Sequence, residues 1–245
     1  MTSPEPVAVE PTPTSGGIPV VTDLLRMVRV LFSPSAVFDE QKEAPTFWVP
    51  WLLLSVLLLA VTFLNFPYTL AAARLAATAQ GRPFPAAAES LMRFSMLGAV
   101  PLVTLVMLLL TAGVMYLVLM AAGGEVRFKG LMSVAVFSGM LGVLQVLASF
   151  AVLKLRGPEA LTTLADYQVS FGLDLLLPAD TALPKFVEGM LKGITPFSIW
   201  GLVITATGIW TMEKTSKGAA WTAAVVSLAL GLLVAGLFSG MGGAR

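Results

Sequence analysis

Residues 94–124 read FSMLGAVPLVTLVMLLLTAGVMYLVLMAAGG, residues 125–129 read EVRFK, and residues 130–153 read GLMSVAVFSGMLGVLQVLASFAVL. Neither long run holds a charged side chain. About 20 consecutive apolar residues cross the hydrocarbon core of a bilayer as a helix. Each run is long enough, and the five residues between them suffice only for a turn. The stretch therefore reads as a transmembrane helical hairpin, with Arg127 and Lys129 in its turn as membrane-surface cations.

Working outward, the same pattern recurs on both sides. Residues 47–66 form a first span, opened by Trp48 and Trp51, whose indoles favour the membrane interface. Asn65, Pro67 and Tyr68 mark its far end, and residues 70–93 read as a loop with two short helical pieces. The hairpin supplies spans at 96–122 and 130–153, with a kink expected at Pro101, where Thr104 is near enough to re-satisfy a freed carbonyl. A large polar loop follows. Within it Leu183, Phe186, Val187, Met190 and Leu191 form an amphipathic stripe suited to the membrane surface. Spans at 194–212 and 219–241 complete a set of five. The expected fold class is all-α, a polytopic membrane protein with a five-helix domain over 47–245.

Ahead of that domain, residues 1–17 are rich in Pro, Glu, Thr and Ser and bury no apolar area, so they read as disordered. Residues 18–46 are amphipathic. Val21, Leu24, Leu25, Val28, Leu31 and Phe32 share one helical face, while Asp23, Arg26 and Arg29 share another. Two placements fit: a helix in the headgroup region with Arg26 and Arg29 near lipid phosphates, or a helix packed on the bundle. Ser33-Pro34 restarts a helix, since Ser caps well and Pro suits the first helical position.

Composition narrows the function. The chain is 57% hydrophobic and 12% charged, with a net charge of +1 and a mean hydropathy of +0.87. No overall field recruits nucleic acid. With no Cys and no His, thiolate chemistry is absent, and so are the commonest general base and metal ligand. No signal peptide is expected, because the first apolar segment starts late and follows no basic region. No catalytic residue, metal or cofactor is assigned, and the chain is read as non-enzymatic.

Five spans put the termini on opposite sides. The side with the N-terminal segment and the turns at Arg127 and Lys214 packs four cations into two very short turns, whereas the other side spreads most of its cations over long loops. Density in short loops favours the first side as cytoplasmic, giving N-terminus in and C-terminus out.

Several pieces together resemble bacterial members of the Ypt-interacting protein (Yip) family. They are Leu31-Phe-Ser-Pro-Ser-Ala-Val-Phe38 with Asp39-Glu40, Gly123-Gly124 with Phe128-Lys-Gly130, Phe197-Ser-Ile-Trp200, Gly208, and Lys214 through Ala220. Their order around the spans, over roughly residues 30–240, carries the resemblance. It implies a five-helix integral domain with a cytoplasmic N-terminus, in a bacterial inner membrane. The GTPase partners of eukaryotic relatives are not carried over, because the short N-terminal segment holds no recognisable GTPase-binding element.

Two intramembrane features remain. In the fifth span Ala219, Ala223, Ser227, Gly231, Ala235, Ser239 and Gly243 recur every four residues, with Gly236 and Gly240 beside them. Small residues let helix backbones approach closely in lipid. Ser227, Gly231, Ala235, Gly236, Ser239 and Gly240 thus form a helix-packing face, used for another helix of the chain, a second copy or a partner. Gly231→Leu should disrupt it. Gln145 is the most polar side chain deep in a span, with Ser138 and Ser149 near its face. It suits an interhelical hydrogen bond or a polar intramembrane site, whereas Ser55, Thr62, Thr111, Thr205 and Thr207 should bond their own helix carbonyls. No ionisable group falls in a span core, which argues against proton-coupled transport. Asp166, Asp174 and Asp180 read as solvated loop carboxylates. The expected partners are the lipid bilayer and either a membrane protein or a second copy. The expected role is accessory: docking that partner or shaping the bilayer. The alternative is a transporter or channel subunit with an interhelical groove near Gln145 and Pro101.

Overall fold

A computed structural model describes residues 19–242 apart from 179, 180 and 182. The tail at 1–17, Asp180 and residues 243–245 lie outside the described residues. Among the described residues the chain is helical, without a β-strand. Its α-helices are α1 (Pro19–Arg29), α2 (Pro34–Gln41), α3 (Trp48–Ala79), α4 (Ala86–Ala121), α5 (Phe128–Ser138), α6 (Met140–Arg156), α7 (Lys185–Gly193), α8 (Pro196–Met212) and α9 (Lys217–Gly242). Short 3-10 turns occupy the loop between α6 and α7.

Four segments are long and apolar enough to cross a membrane: Trp48–Ala79, Ala87–Ala121, Phe128–Arg156 and Lys217–Ser239. A fifth crossing, expected at 194–212, would take two pieces, because α7 and α8 pass the length test only as a bent pair. α8 has 17 residues, about 25 Å at 1.5 Å per residue. It meets the length of a span only together with α7, from which it is bent by 61°. The fold is an all-α polytopic membrane protein.

The packing follows from the distribution of apolar residues. Beyond Lys129 in its first turn α5 has no polar face, and residues from Gly130 to Phe137 are buried. A helix without a polar face belongs inside a bundle, and α2, α3, α4 and α8 surround it. α4 and α9 lie outermost: only 22% and 17% of their spanning windows are buried within the chain. Their apolar side chains face outward, as lipid as solvent requires.

Three departures from the sequence expectations have physical causes. First, α3 does not end near Asn65. It runs through Pro67 to Ala79, so the alanine-rich stretch is the last turns of this helix and not a loop. Alanine propagates helix. The Asn65 amide donates to Val61 O at 3.0 Å and to Val146 O at 3.3 Å, fastening the proline region to α6. Glu89 of α4 bonds Arg74 at 2.9 Å and Arg93 at 3.0 Å, closing the α3–α4 corner. Second, the third span is broken at Gly139, where a Cβ would lie 2.9 Å from the Leu54 side chain. Glycine there lets α3 approach. Third, α7 does not stand apart on the membrane surface, because it is docked on α9. A Cβ at Gly236 would lie 2.8 Å from Phe186 O, one at Gly189 would collide with Ser239, and one at Gly193 would meet Leu232 at 2.5 Å. Glycines on both helices permit that approach.

The bend between α7 and α8 is fixed locally. Thr195 Oγ1 accepts from Ser198 N at 3.0 Å, and Ser198 Oγ accepts from Thr195 N at 2.8 Å. Pro196 sits at the first helical position of α8, where its missing N–H costs nothing.

Candidate functional site

Two polar places interrupt the apolar bundle. One lies between the helices. α4 and α8 both pack on α9, where Ala220, Ala223 and Ala224 are buried, and α7 packs on α9 around Gly236. Between these contacts, where the α7–α8 bend falls, a cavity of about 480 Å³ remains. Ser138 and Gln145 line it from the third span, Thr104 and Thr111 from α4, Thr205 from α8, and Ser227 and Gly231 from α9. Phe197, Ser198 and mostly aliphatic side chains complete the wall, and none of its lining residues is ionisable.

The hydroxyls are mostly occupied. Thr111 donates to Met107 O at 2.8 Å, and Ser227 donates to Ala223 O at 2.8 Å. Thr205 differs from the expectation of a bond to its own helix. Its Oγ1 donates to Ser138 Oγ at 3.0 Å, joining α8 to α5 across the cavity wall. Ser149 donates to Gln145 O, its own helix carbonyl. The Gln145 side-chain amide makes no hydrogen bond among the described residues, and it borders the cavity.

The small residues of α9 divide into two groups. Ala235, Gly236 and Ser239 lie beneath α7, with Gly240 one turn beyond Gly236. Ser227 and Gly231 border the cavity instead. At Gly231 a Cβ would meet nothing within 4 Å, so a larger side chain there enters open space and does not break a tight contact.

The second polar place closes one end of the bundle. Glu213, at the C-terminal end of α8, is 6% exposed. Its Oε2 accepts from the Arg127 backbone N–H at 2.8 Å, with the Arg127 guanidinium 3.6 Å away. Arg127 is the residue that opens α5, so Glu213 caps that helix from outside it. A carboxylate is favoured at a helix N-terminus. The guanidinium also donates to Lys42 O and Met212 O, each at 2.8 Å. Three chain reversals are thereby tied at one point. Burial raises the Glu213 carboxyl above its ordinary range, opposed by the hydrogen bond and charge of Arg127. Gly130 makes room for the carboxylate, because a Cβ there would collide with Glu213 Oε1. Deeper along the same side, Gln41 is 1% exposed, and its Oε1 accepts from Ser133 Oγ at 2.9 Å.

The membrane-surface cations are distributed unequally. Arg26 bonds Asp23 and Glu40, both at 3.2 Å, and Arg29 bonds Glu40 at 3.0 Å. Arg127 is bound as described. Lys129 is exposed in the first turn of α5. Glu213, Gln41 and Ser133 were not singled out by the sequence. Only the position of Glu213 directly at the end of an apolar run, opposite a glycine in another turn, could have marked it. In the polar loop, Asp166 accepts from Thr163 N and Thr163 Oγ1, which lowers its pKa. No cluster of metal-ligating side chains occurs among the described residues.

A family model, the Yip1 domain, matches residues 28–238. The chain belongs to the Yip1 domain family. The match begins at the end of α1 and extends into α9, so it embraces both polar places. The chain is also 25% identical over 216 residues to "Membrane protein YknW" of Bacillus subtilis (strain 168), an alignment covering 86% of this chain and 88% of that protein. No solved structure matches.

Proposed function

We propose that this Yip1-domain protein is a non-catalytic accessory of the bacterial inner membrane, with its N-terminus cytoplasmic, which docks a membrane partner or shapes the bilayer. The observation that carries this reading is the outward apolar surface of α4 and α9. Leu102, Leu110 and Leu117 on α4 and Leu237 and Phe238 on α9 are all exposed, whereas no ionisable side chain lines the cavity and no metal-ligand cluster occurs among the described residues. A surface of this kind packs against lipid or another span.

The partner is a membrane protein or a second copy of this chain. The test is purification in a mild detergent. One membrane protein recovered in fixed stoichiometry, and lost when Leu110 and Leu117 are both replaced by Trp, supports docking. A monomer without a partner, in vesicles that keep their shape, refutes it.

The cavity beside Gln145 favours a second reading, a groove for a small or lipidic substrate. Purified protein that moves such a substrate across liposomes, and loses the activity in Gln145→Leu, would establish that reading in place of the first.

A further inference from the structure

The corner between α1 and α2 is set into the bundle, away from its end. Four contacts give its depth in order. Lys42 O meets Arg127 at the end of the bundle. Gln41 then meets Ser133, five residues beyond Phe128 in α5. Phe38 packs on Phe137 with ring centroids 6.2 Å apart, and against Gly208. Finally Leu31 O accepts from Trp200 Nε1 at 3.0 Å. From Met212 back to Trp200, α8 rises about 18 Å. α2 therefore runs alongside α5 and α8, and the residues Leu31 to Ser33 lie about 18 Å from the Arg127 end measured along α8, a distance comparable to half of a hydrocarbon core about 30 Å thick.

Two properties of the segment fit that depth. Its outward face is mostly apolar: Val21 is 50% exposed, Leu25 59% and Phe32, at the corner, 80%, and the exposed Arg29 beside them is paired with Glu40. Its charges cancel. Asp23, Arg26, Arg29 and Glu40 form one linked group, and Lys42 bonds Asp39 at 2.8 Å. Among the described residues, every charged side chain from Asp23 to Lys42 has an opposite partner within the segment. Charges at membrane depth pair with one another. A helix resting on headgroups would instead leave its arginines free for lipid phosphates.

We infer that α1 and α2 form a helical wedge inserted into one leaflet, the leaflet on the Arg127 side, with the acyl chains of that leaflet covering Val21, Leu25 and Phe32. The wedge deepens the bilayer-shaping form of the proposed function and rests on it: extra volume in a single leaflet favours curvature. Self-neutralisation of the four linked charges is what allows the segment to enter, and the Trp200 bond holds its corner at depth.

The chain has no Cys, so a single probe site can be placed in the full-length protein. Phe32→Cys carrying an environment-sensitive fluorophore is reconstituted in liposomes that contain a nitroxide at the headgroup or at mid-chain, with Lys129→Cys as the surface reference. The wedge requires stronger quenching by the mid-chain nitroxide at position 32, the reverse order at position 129, and no quenching of position 32 by a water-soluble quencher. Headgroup-dominated quenching at position 32 overturns it, and so does protection from all three quenchers, which would mean that protein covers the corner. Vesicle shape is scored separately. Mid-chain depth without any change in vesicle curvature refutes bilayer shaping and leaves the insertion standing. Headgroup depth with intact partner docking refutes the wedge and leaves the accessory role standing.

Discussion

Replacing Gly130 with alanine adds one methyl group, and the structure assigns it a place already filled. A Cβ at residue 130 collides with Glu213 Oε1 and lies 3.0 Å from the carboxylate carbon. Glu213 must withdraw, giving up the 2.8 Å bond from the Arg127 N–H and the 3.6 Å ionic contact. A hydrogen bond to a charged group is worth about 1.5–3 kcal/mol. Against that, alanine in place of glycine inside a helix gains about 1 kcal/mol. The expected result is a net loss of about 0.5–2 kcal/mol, read as a Tm lower by a few degrees in detergent. Gly98→Ala on α4 is the matched control, since a Cβ there meets nothing within 4 Å. It should keep or raise the Tm. If Gly130→Ala is as stable as Gly98→Ala, Glu213 does not hold the three turns together and the reasoning fails.

Other outcomes follow from the same contacts. The raised pKa of Glu213 means that the folded protein binds its proton more tightly than the unfolded chain does. Stability should therefore fall as pH rises from the ordinary glutamate range through the raised value, and Glu213→Gln should flatten that part of a Tm-against-pH curve. Identical curves would remove the burial argument. Gly236→Leu should displace α7 from α9 and cost about 1–3 kcal/mol by overpacking, whereas Gly231→Leu should change stability by less than about 1 kcal/mol; thermal unfolding of the pair in one detergent decides. Thr205→Val removes the α8–α5 hydroxyl bond and should cost about 0.6 kcal/mol, the average for such bonds in a membrane, with Thr111→Val, whose bond is local, costing less.

The spans were legible because lipid imposes one simple demand, length without charge, and residues 94–153 meet it twice. The ends of the helices were less legible. Pro67 reads as a stop in isolation, yet α3 passes through it because α6 lies alongside and Asn65 fastens the two. An amphipathic stripe such as Leu183 to Leu191 states only that one face is apolar. Whether that face meets lipid or the glycines of α9 depends on a bend at Thr195, whose capping pair with Ser198 was present in the sequence and was not singled out. For the same reason the small residues of α9 could not be divided in advance into those under α7 and those beside the cavity. Glu213 was hidden for a different reason: a lone carboxylate in a turn looks solvated, and its burial follows from the approach of Gly130 from another turn.

The α7–α8 pair, two helices bent by 61°, decides between four crossings and five. Single cysteines at Lys129, Glu159 and Lys214, labelled with a membrane-impermeant reagent in sealed vesicles, test it directly. The account predicts that positions 129 and 214 react from one side and position 159 from the other, because the chain crosses once through α5–α6 and returns through α7–α8. Position 214 reacting from the same side as 159 would mean that α7–α8 dips into the membrane without crossing it, and the five-span architecture would be contradicted.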